Sequence, residues 1–340
     1  MKVRAWAAEG PEQPLVPFEY ELGSLGEDEV DIRVEACGIC HSDLSMLNNE
    51  WGISQYPLVP GHEIAGTVVA AGRNVRHVRV GQRVGLGWHR GYCQGCIDCL
   101  SGEPHLCSES MPTIVGHHGG FAERVRAQAA AVCPLPDELA AIYAGPLMCG
   151  GLTVFSPLLT EGVRPIDRIA VVGIGGLGHL AIQFASKWGC EVVAMTSSSD
   201  KAALARELGA HHVISSRDTS QWSPWRRRLH MILVTTNHAL DWSAMLDLLA
   251  PHGRLHFVGV VKEPLMLPPA SLLDRQRKIS GSPVGSPALM RMMMEFAVRH
   301  NIRPQIERFP MSQANAALAH LATGKARFRV VLEADWPNGS

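Results

Sequence analysis

Arg168-Ile169-Ala170-Val171-Val172-Gly173-Ile174-Gly175-Gly176-Leu177-Gly178 is the stretch that decides the fold. Its apolar run reads as a buried strand, and the glycines at 173, 175 and 178 lead into a helical stretch from Gly178 to about Trp188. Glycines so spaced permit a tight turn and let a pyrophosphate approach the helix N-terminus, where unpaired amides favour anions. The spacing alone also suits an ordinary turn. The strand-turn-helix context is what points to a dinucleotide.

Outward from this stretch the alternation continues. A second strand at Glu191–Met195 precedes a helix from about Lys201 to Leu208, which Gly209 stops. Further apolar runs follow at Met231–Val234 and Leu255–Gly259. Strands alternating with helices imply βαβ units and the parallel sheet of a doubly wound α/β domain. Before about Thr160 the character differs. Val30–Val34, Gly66–Val69 and Gly81–Gly85 are short alternating runs bounded by glycine, which read as a mostly β domain. From about Ser286 a helix with Met290, Met292, Met293 and Met294, read as core packing, leads to a closing strand Phe328–Leu332.

The end of the second strand bears on which dinucleotide binds. An NAD site places Asp or Glu about twenty residues beyond the glycines, on the ribose hydroxyls. Here the chain reads Thr196-Ser197-Ser198-Ser199-Asp200-Lys201. Hydroxyls bond a 2′-phosphate and an ammonium neutralises it, so Ser197, Ser198 and Lys201 point to NADP(H). The alternative is a polar loop at Ser197 to Ser199, with Asp200 capping the next helix.

The 340 residues suffice for two domains, and with 46% hydrophobic and 19% charged residues they can fill sizeable cores. A formal net charge of -1 disfavours a nucleic-acid partner, and Arg226-Arg227-Arg228 reads as a solvated loop. No apolar leader follows Met1, and no stretch reads as reaching the ~18 apolar residues of a membrane span. The expectation is a soluble, cytoplasmic protein with no membrane partner. In that compartment disulfides rarely persist, so nine cysteines call for metal ligation.

Cys93-x2-Cys96-x2-Cys99-x7-Cys107 places four thiols within fifteen residues. Cys-x2-Cys turns bring successive sulfurs round one tetrahedral ion, and Gly91, Gly95 and Gly102 give the loop freedom to wrap. Four thiolates close the shell, so a zinc there would be structural. An iron-sulfur cluster is the chemical rival. A sparser set holds the other candidate. Cys40 lies in Cys37-Gly38-Ile39-Cys40-His41-Ser42-Asp43, His62 in Gly61-His62-Glu63, and Cys149 follows Ala144-Gly145-Pro146-Leu147-Met148. Two thiolates and one imidazole would leave a fourth position for an oxygen, as catalytic zinc requires. Spacing does not by itself establish this set.

Together these motifs resemble the zinc-containing medium-chain dehydrogenase/reductase family, over nearly the whole chain. The branch they look most like is that of the cinnamyl alcohol dehydrogenases and bacterial aldehyde reductases. The segments that carry the resemblance are Cys37–Asp43, Val59–Glu63, Gly145–Pro157 and Gly173–His179. It implies a GroES-like catalytic domain, mostly β, built from residues 1–150 and 286–340, with a Rossmann domain over 151–285 between them. It implies one catalytic zinc on Cys40, His62 and Cys149, with Glu63 behind the metal and able to exchange onto it. Asp43 would orient His62.

The resemblance further implies a reaction in which hydride passes between nicotinamide and the carbonyl carbon of an aldehyde, while Ser42 handles the proton. In many relatives the proton continues to a histidine five residues after the first cysteine, but here that position is Ser45. His41 would then face the pyrophosphate, or protons would leave through water. Cofactor contacts would come from His41, Thr153, Gly173, Gly175, Gly176, Leu177, Gly178, Ser197, Ser198, Lys201, Gly259 and Val260. Trp51 and Trp88 would wall the substrate pocket, favouring aromatic or medium aliphatic aldehydes. An NAD-linked dehydrogenase of short alcohols or polyols is the alternative within the family. A homodimer is expected, with Leu265-Met266-Leu267 as an edge strand pairing across the two-fold axis.

Overall fold

Six parallel strands form one sheet, in the order His212–Ser215, Glu191–Thr196, Arg168–Val172, Leu229–Val234, Leu249–Phe257, Lys278–Gly281. In chain order this is 3-2-1-4-5-6, the doubly wound Rossmann arrangement. The order reverses between Arg168–Val172 and Leu229–Val234, where such folds bind their ligands. The central strands are mostly apolar because both faces are covered: Ala170, Val172, Val193, Ile232, Val234 and Leu255 are fully buried or nearly so. The helix Gly178–Trp188 buries Leu180, Ile182 and Phe184, and Gly189 stops it in the left-handed conformation at φ 106°. This sheet belongs to the unit Thr153–Pro283, and the other unit is Met1–Leu152 with the chain from Val284 onward. The computed structural model describes residues 1–337.

Local departures from the sequence reading have physical causes. The helix after the second strand starts as a 3-10 turn, Ser199–Lys201, and becomes regular only at Ala202–Glu207. Asp200 lies inside that turn, and no side chain caps either segment. The fifth strand stops at Phe257, short of Gly259. There the amides of Val258 and Gly259 both donate to the Val234 carbonyl and swing the chain across its neighbour. Leu265-Met266-Leu267 forms no strand among the described residues, and Met266 is 81% exposed.

In the other unit the central element is the long strand Glu29–Ile39. Its first half pairs antiparallel with Arg124–Gln128, its last residues pair with Arg329–Glu333, and Glu63–Ala71 runs along it. The closing strand is thereby stitched to the N-terminal sheet, which continues through Arg83–Leu86 and Cys133–Pro134. Ile32, Ile39, Ile64, Val68, Phe121 and Val330 fill the core. The Met-rich helix is Pro287–Arg299, capped by Ser286, whose oxygen accepts from the Leu289 amide at 3.2 Å. Met290, Met293 and Met294 fall on one buried face at helical spacing. Met292 is on the other face, half exposed.

One expectation about apolar length is overturned. The helical stretch Ala141–Thr160 is long and apolar enough to cross a membrane by composition, yet 83% of its apolar window is buried within the protein. Its hydrophobicity is spent on the core.

Candidate active site

The strand Glu29–Ile39 delivers the chain to Cys40, and the helix His41–Leu47 starts immediately after it. Asp43 in the first turn is fully buried and reaches back: its Oδ2 accepts from the Cys40 amide at 2.9 Å. Its Oδ1 accepts from the Gly61 amide at 2.9 Å and from His62 Nδ1 at 3.0 Å. One carboxylate therefore fixes the helix start, the loop before Glu63 and the imidazole. With Nδ1–H committed to Asp43, the lone pair of His62 is on Nε2. That nitrogen is buried and has no protein partner. A fully buried, orphaned nitrogen of this kind demands a partner such as a cation.

Cys149 arrives from another direction. The helix Ala141–Pro146 loosens into a π turn at Leu147–Gly151, which carries Cys149 at its centre. π turns are rare and recur at functional sites. Gly145 lets this segment approach the sheet, since a Cβ there would lie 2.7 Å from the Glu63 carbonyl oxygen. Ligand atoms of Cys40, His62, Glu63 and Cys149 all lie within 4.8 Å of one another.

The electrostatics suit metal binding. The contact with Cys149, reinforced by His62, holds the Cys40 thiol well below its usual pKa. The same contact, together with burial, drives Cys149 up. Burial opposes a charge on His62, but the Asp43 carboxylate outweighs it and raises the imidazole well above its ordinary value. A dication would replace the protons that this field gathers. Burial pushes Glu63 up to about 7 despite Arg329, which donates to Glu63 Oε1 through Nη2. Glu63 Oε2 has no protein partner. It occupies the space where a Cβ on Gly38 would be, at 2.1 Å.

Around this set, Ser42 Oγ lies 3.7 Å from Cys40 Sγ. Trp88 stands edge-on to His62 with centroids 5.0 Å apart, and Trp51 packs on Trp88 at 5.8 Å. Both tryptophans are half-buried. His41 is exposed at the head of its helix. Ser45 is buried and donates to Glu50 Oε2 at 3.0 Å.

Cys93, Cys96, Cys99 and Cys107 form the other cluster, again with sulfurs within 4.8 Å. The Cys93–Cys107 and Cys93–Cys99 separations are 3.4 and 3.9 Å. A tetrahedral zinc with Zn–S of about 2.3 Å requires sulfurs about 3.8 Å apart. The amides of Gly95 and Cys96 bring Cys93 down to about 7, the state a ligand needs. All nine cysteines are free of disulfides.

In the other unit, Gly173 adopts φ 92°, and a Cβ on Gly178 would sit 1.8 Å from the Gly173 carbonyl oxygen. Protein geometry demands both glycines. Gly175 is different, because a Cβ there meets no protein atom within 4 Å. The room beside it suits a bound phosphate rather than packing. Gly176 and Leu177 complete the turn, Leu177 as the residue before the helix. Thr235 at the end of the fourth strand donates to the Gly173 carbonyl at 2.8 Å, tying the loop to the sheet. Lys201 reaches the same loop and donates to the Ile174 carbonyl at 2.9 Å. Ser197 is exposed and Ser198 half-buried beside it. Gly259 packs on Thr236, Val260 is 61% exposed, and Thr153 is buried in the helix Leu152–Thr160.

Sequence reasoning misses Arg329 and Gly38. Arg329 lies 266 positions from its partner Glu63 on a strand with no motif of its own. Gly38 is visible only as part of a Cys-Gly-Ile-Cys string, and the side chain that needs its space is across the sheet.

Comparison with known proteins agrees with this geometry. Residues 26–137 match the alcohol dehydrogenase GroES-like domain, and residues 176–299 match the zinc-binding dehydrogenase domain. The chain is 54% identical to the aldehyde reductase AdhA of Synechocystis over 97% of its own length and 98% of that protein. It superposes on a cinnamyl alcohol dehydrogenase from Sorghum bicolor with a TM-score of 0.93 at 33% identity, covering 98% of each chain. A cinnamyl alcohol dehydrogenase from Helicobacter pylori, solved with NADP(H), gives a TM-score of 0.90 at 27% identity over 98% of each. The chain belongs to the zinc-containing medium-chain dehydrogenase/reductase family, as one of its alcohol dehydrogenases.

Proposed function

We propose that the protein is a zinc- and NADP(H)-dependent aldehyde reductase and alcohol dehydrogenase acting on aromatic or medium aliphatic primary alcohols and their aldehydes. The observation that carries the reading is the buried, partnerless His62 Nε2, aimed by Asp43 at Cys40 and Cys149. When bound, zinc supplies Lewis acidity to the substrate oxygen and nicotinamide supplies or accepts the hydride.

The chain's own residues do the rest. Cys40, His62 and Cys149 hold the catalytic metal, and Asp43 fixes the imidazole in the required tautomer. Arg329 retains Glu63 behind the thiols, as a fourth donor in reserve. Ser42 exchanges a proton with the substrate oxygen, a role its position beside Cys40 permits. Trp51 and Trp88 give the pocket an aromatic wall that excludes water and favours aromatic substrates. Cys93, Cys96, Cys99 and Cys107 hold a second, structural zinc.

Gly173, Gly175 and Gly178 cradle the pyrophosphate, with Ser197, Ser198 and Lys201 as the 2′-phosphate contacts. The absence of an acid at the end of Glu191–Thr196, and an ammonium already at the glycine loop, support NADP(H). The NADP(H) complex of the Helicobacter pylori relative is consistent with this. Nine free thiols suit a reducing, cytoplasmic setting. The edge strand Lys278–Gly281, near exposed Leu265 and Met266 in sequence, supports a homodimer.

The test is zinc per chain by metal analysis, joined to kcat/KM for cinnamaldehyde, hexanal and a polyol with each cofactor. Two zinc ions, aldehyde reduction and a preference for NADPH are expected. One zinc or none, or a preference for NADH and polyols, would overturn the reading. A Ser42→Ala variant with full kcat would remove the serine from proton transfer.

A further inference from the structure

His256 is fully buried on the fifth strand of the parallel sheet, yet neither metal centre nor the glycine loop uses it. In register it stands opposite Ser280 on the edge strand, so the two side chains share one face. Ser280 Oγ lies 2.7 Å from His256 Nδ1, and Ser282 Oγ lies 3.0 Å from Nε2. The ring therefore runs along the edge strand towards its carboxyl end, where Ser282 is the first residue past Gly281. The direction of these bonds is set from the other side. Glu161, just past the helix Leu152–Thr160, is ion-paired to Arg254 and brings Oε1 to 3.5 Å from Nδ1. A carboxylate only accepts, so it favours the proton on Nδ1, which donates to Ser280 Oγ. Burial lowers the ring's pKa and keeps it neutral, so Nε2 carries a lone pair and accepts from the Ser282 hydroxyl. With its hydrogen turned inward, half-buried Ser282 presents only oxygen lone pairs to its outer side.

That acceptor stands where the second half of a dinucleotide belongs. Doubly wound sheets bind their ligand outside the carboxyl ends of the strands, one mononucleotide on each side of the switch point. The 2′-phosphate contacts Ser197, Ser198 and Lys201 follow the second strand, and the glycine loop for the pyrophosphate follows the first. The nicotinamide half then falls to the ends of the fourth, fifth and sixth strands, and Ser282 ends the sixth. We propose that Ser282 Oγ accepts from the carboxamide N–H of the nicotinamide, and that His256 is the positioning residue that turns the hydroxyl to receive it. The inference rests on the NADP(H)-dependent reductase reading above.

The test measures by calorimetry the affinity of the zinc-loaded protein for NADP+, for its 3-acetylpyridine analogue and for 2′-phospho-ADP-ribose. The analogue has a methyl ketone in place of the amide and so no N–H to donate. The third ligand has no pyridine ring at all. Ser282→Ala should weaken NADP+ binding about two- to tenfold, the range of one neutral hydrogen bond. His256→Leu should give a similar loss, and the double variant should bind no more weakly than either alone, because the two residues act as one unit. Affinity for the acetylpyridine analogue and for 2′-phospho-ADP-ribose should stay as in the wild type, which a merely structural role would not allow. If His256→Leu does not fold, Ser280→Ala, which removes the acceptor of Nδ1–H, takes its place with the same expectation. Unchanged NADP+ affinity in Ser282→Ala, or equal losses for NADP+ and the analogue, would overturn the contact while leaving the reductase standing. A loss in Ser282→Ala with none in His256→Leu would overturn the positioning role. A wild-type protein that binds no NADP+ and reduces no aldehyde would overturn the inference and the function together.

Discussion

Asp43 Oδ1 accepts from His62 Nδ1 at 3.0 Å, with both side chains fully buried. The same carboxylate accepts from the amides of Cys40 and Gly61, so it orients one proposed ligand through its ring and another through its backbone. Removing only its charge should loosen the metal and spare the fold. Asp43→Asn is expected to lower zinc affinity about 10- to 100-fold, the usual effect of losing a partner behind a ligating histidine. Competition with a chelator measures this. Asp43→Ala should be worse, because three buried donors lose their acceptor at about 1–3 kcal/mol each. A chelator titration of Asp43→Asn that overlays the wild type would refute the positioning role.

Much of this arrangement is legible in the order of residues alone. The cysteine quartet and the glycine run are local, so spacing exposes them. Strand alternation from Arg168 onward is also local, which is why four of the six parallel strands are legible, with end effects such as Phe257 replacing Gly259 as the last strand residue, while the short, partly exposed edge strands His212–Ser215 and Lys278–Gly281 go unread. Cys40, His62 and Cys149 are far apart in sequence and gain credit only through family resemblance. Arg329 is invisible at that level. Its role depends on antiparallel pairing of Arg329–Glu333 with Glu29–Ile39, and nothing in a single sequence announces that contact. The buried stretch Ala141–Thr160 misleads in the other direction, because proline and glycine interruptions hide how apolar it is.

The glycine loop offers a paired test of protein geometry against ligand geometry. Gly178→Ala should destabilise the fold, since its Cβ would fall 1.8 Å from the Gly173 carbonyl oxygen, where backbone has to move. Gly175→Ala meets no protein atom and should leave the thermal midpoint within about a degree or two, as compatible surface changes do. Its NADPH affinity should nonetheless fall, because the methyl takes the room that a phosphate would use. Thermal melts and fluorescence titration with NADPH separate the two. Unchanged NADPH binding in Gly175→Ala would show that the phosphate lies elsewhere.

Acid should destabilise the protein through histidines that are neutral when folded. Burial lowers His89 and His117 to about 4 and also lowers His256, whose ring is bonded to the hydroxyls of Ser280 and Ser282. Each folded value lies below the ordinary 6.5, so between that pH and about 4 the unfolded chain binds protons that the folded chain refuses. Their contribution is fully present above pH 6.5 and is lost as pH falls through the window. The urea midpoint should therefore drop steadily between about pH 7 and about pH 5. His89→Phe, which keeps a ring against Tyr92, should flatten that decline. A midpoint independent of pH over this range would contradict the assignment.

The two proposed metal centres should fail in opposite ways. The helix Ile97–Leu100 inside the quartet buries none of its residues, and Ile97 and Leu100 are 74% and 73% exposed. A segment so poor in core has little besides its metal to hold it, so that binding energy is folding energy for the lobe. Cys96→Ser should cost one zinc per chain, lower the thermal midpoint and open residues 93–107 to protease, leaving the other zinc in place. Cys149 lies instead in a π turn packed among Leu147, Met148 and Leu152, all fully buried. That packing survives without a metal, so Cys149→Ser should lose the other zinc and nearly all aldehyde reduction with a small change in midpoint. Metal analysis, melting and limited proteolysis on the same two variants decide the matter. Equal loss of stability in both would mean that Cys149 also serves to hold the fold together. Loss in neither would mean that packing outside the lobe already holds residues 93–107.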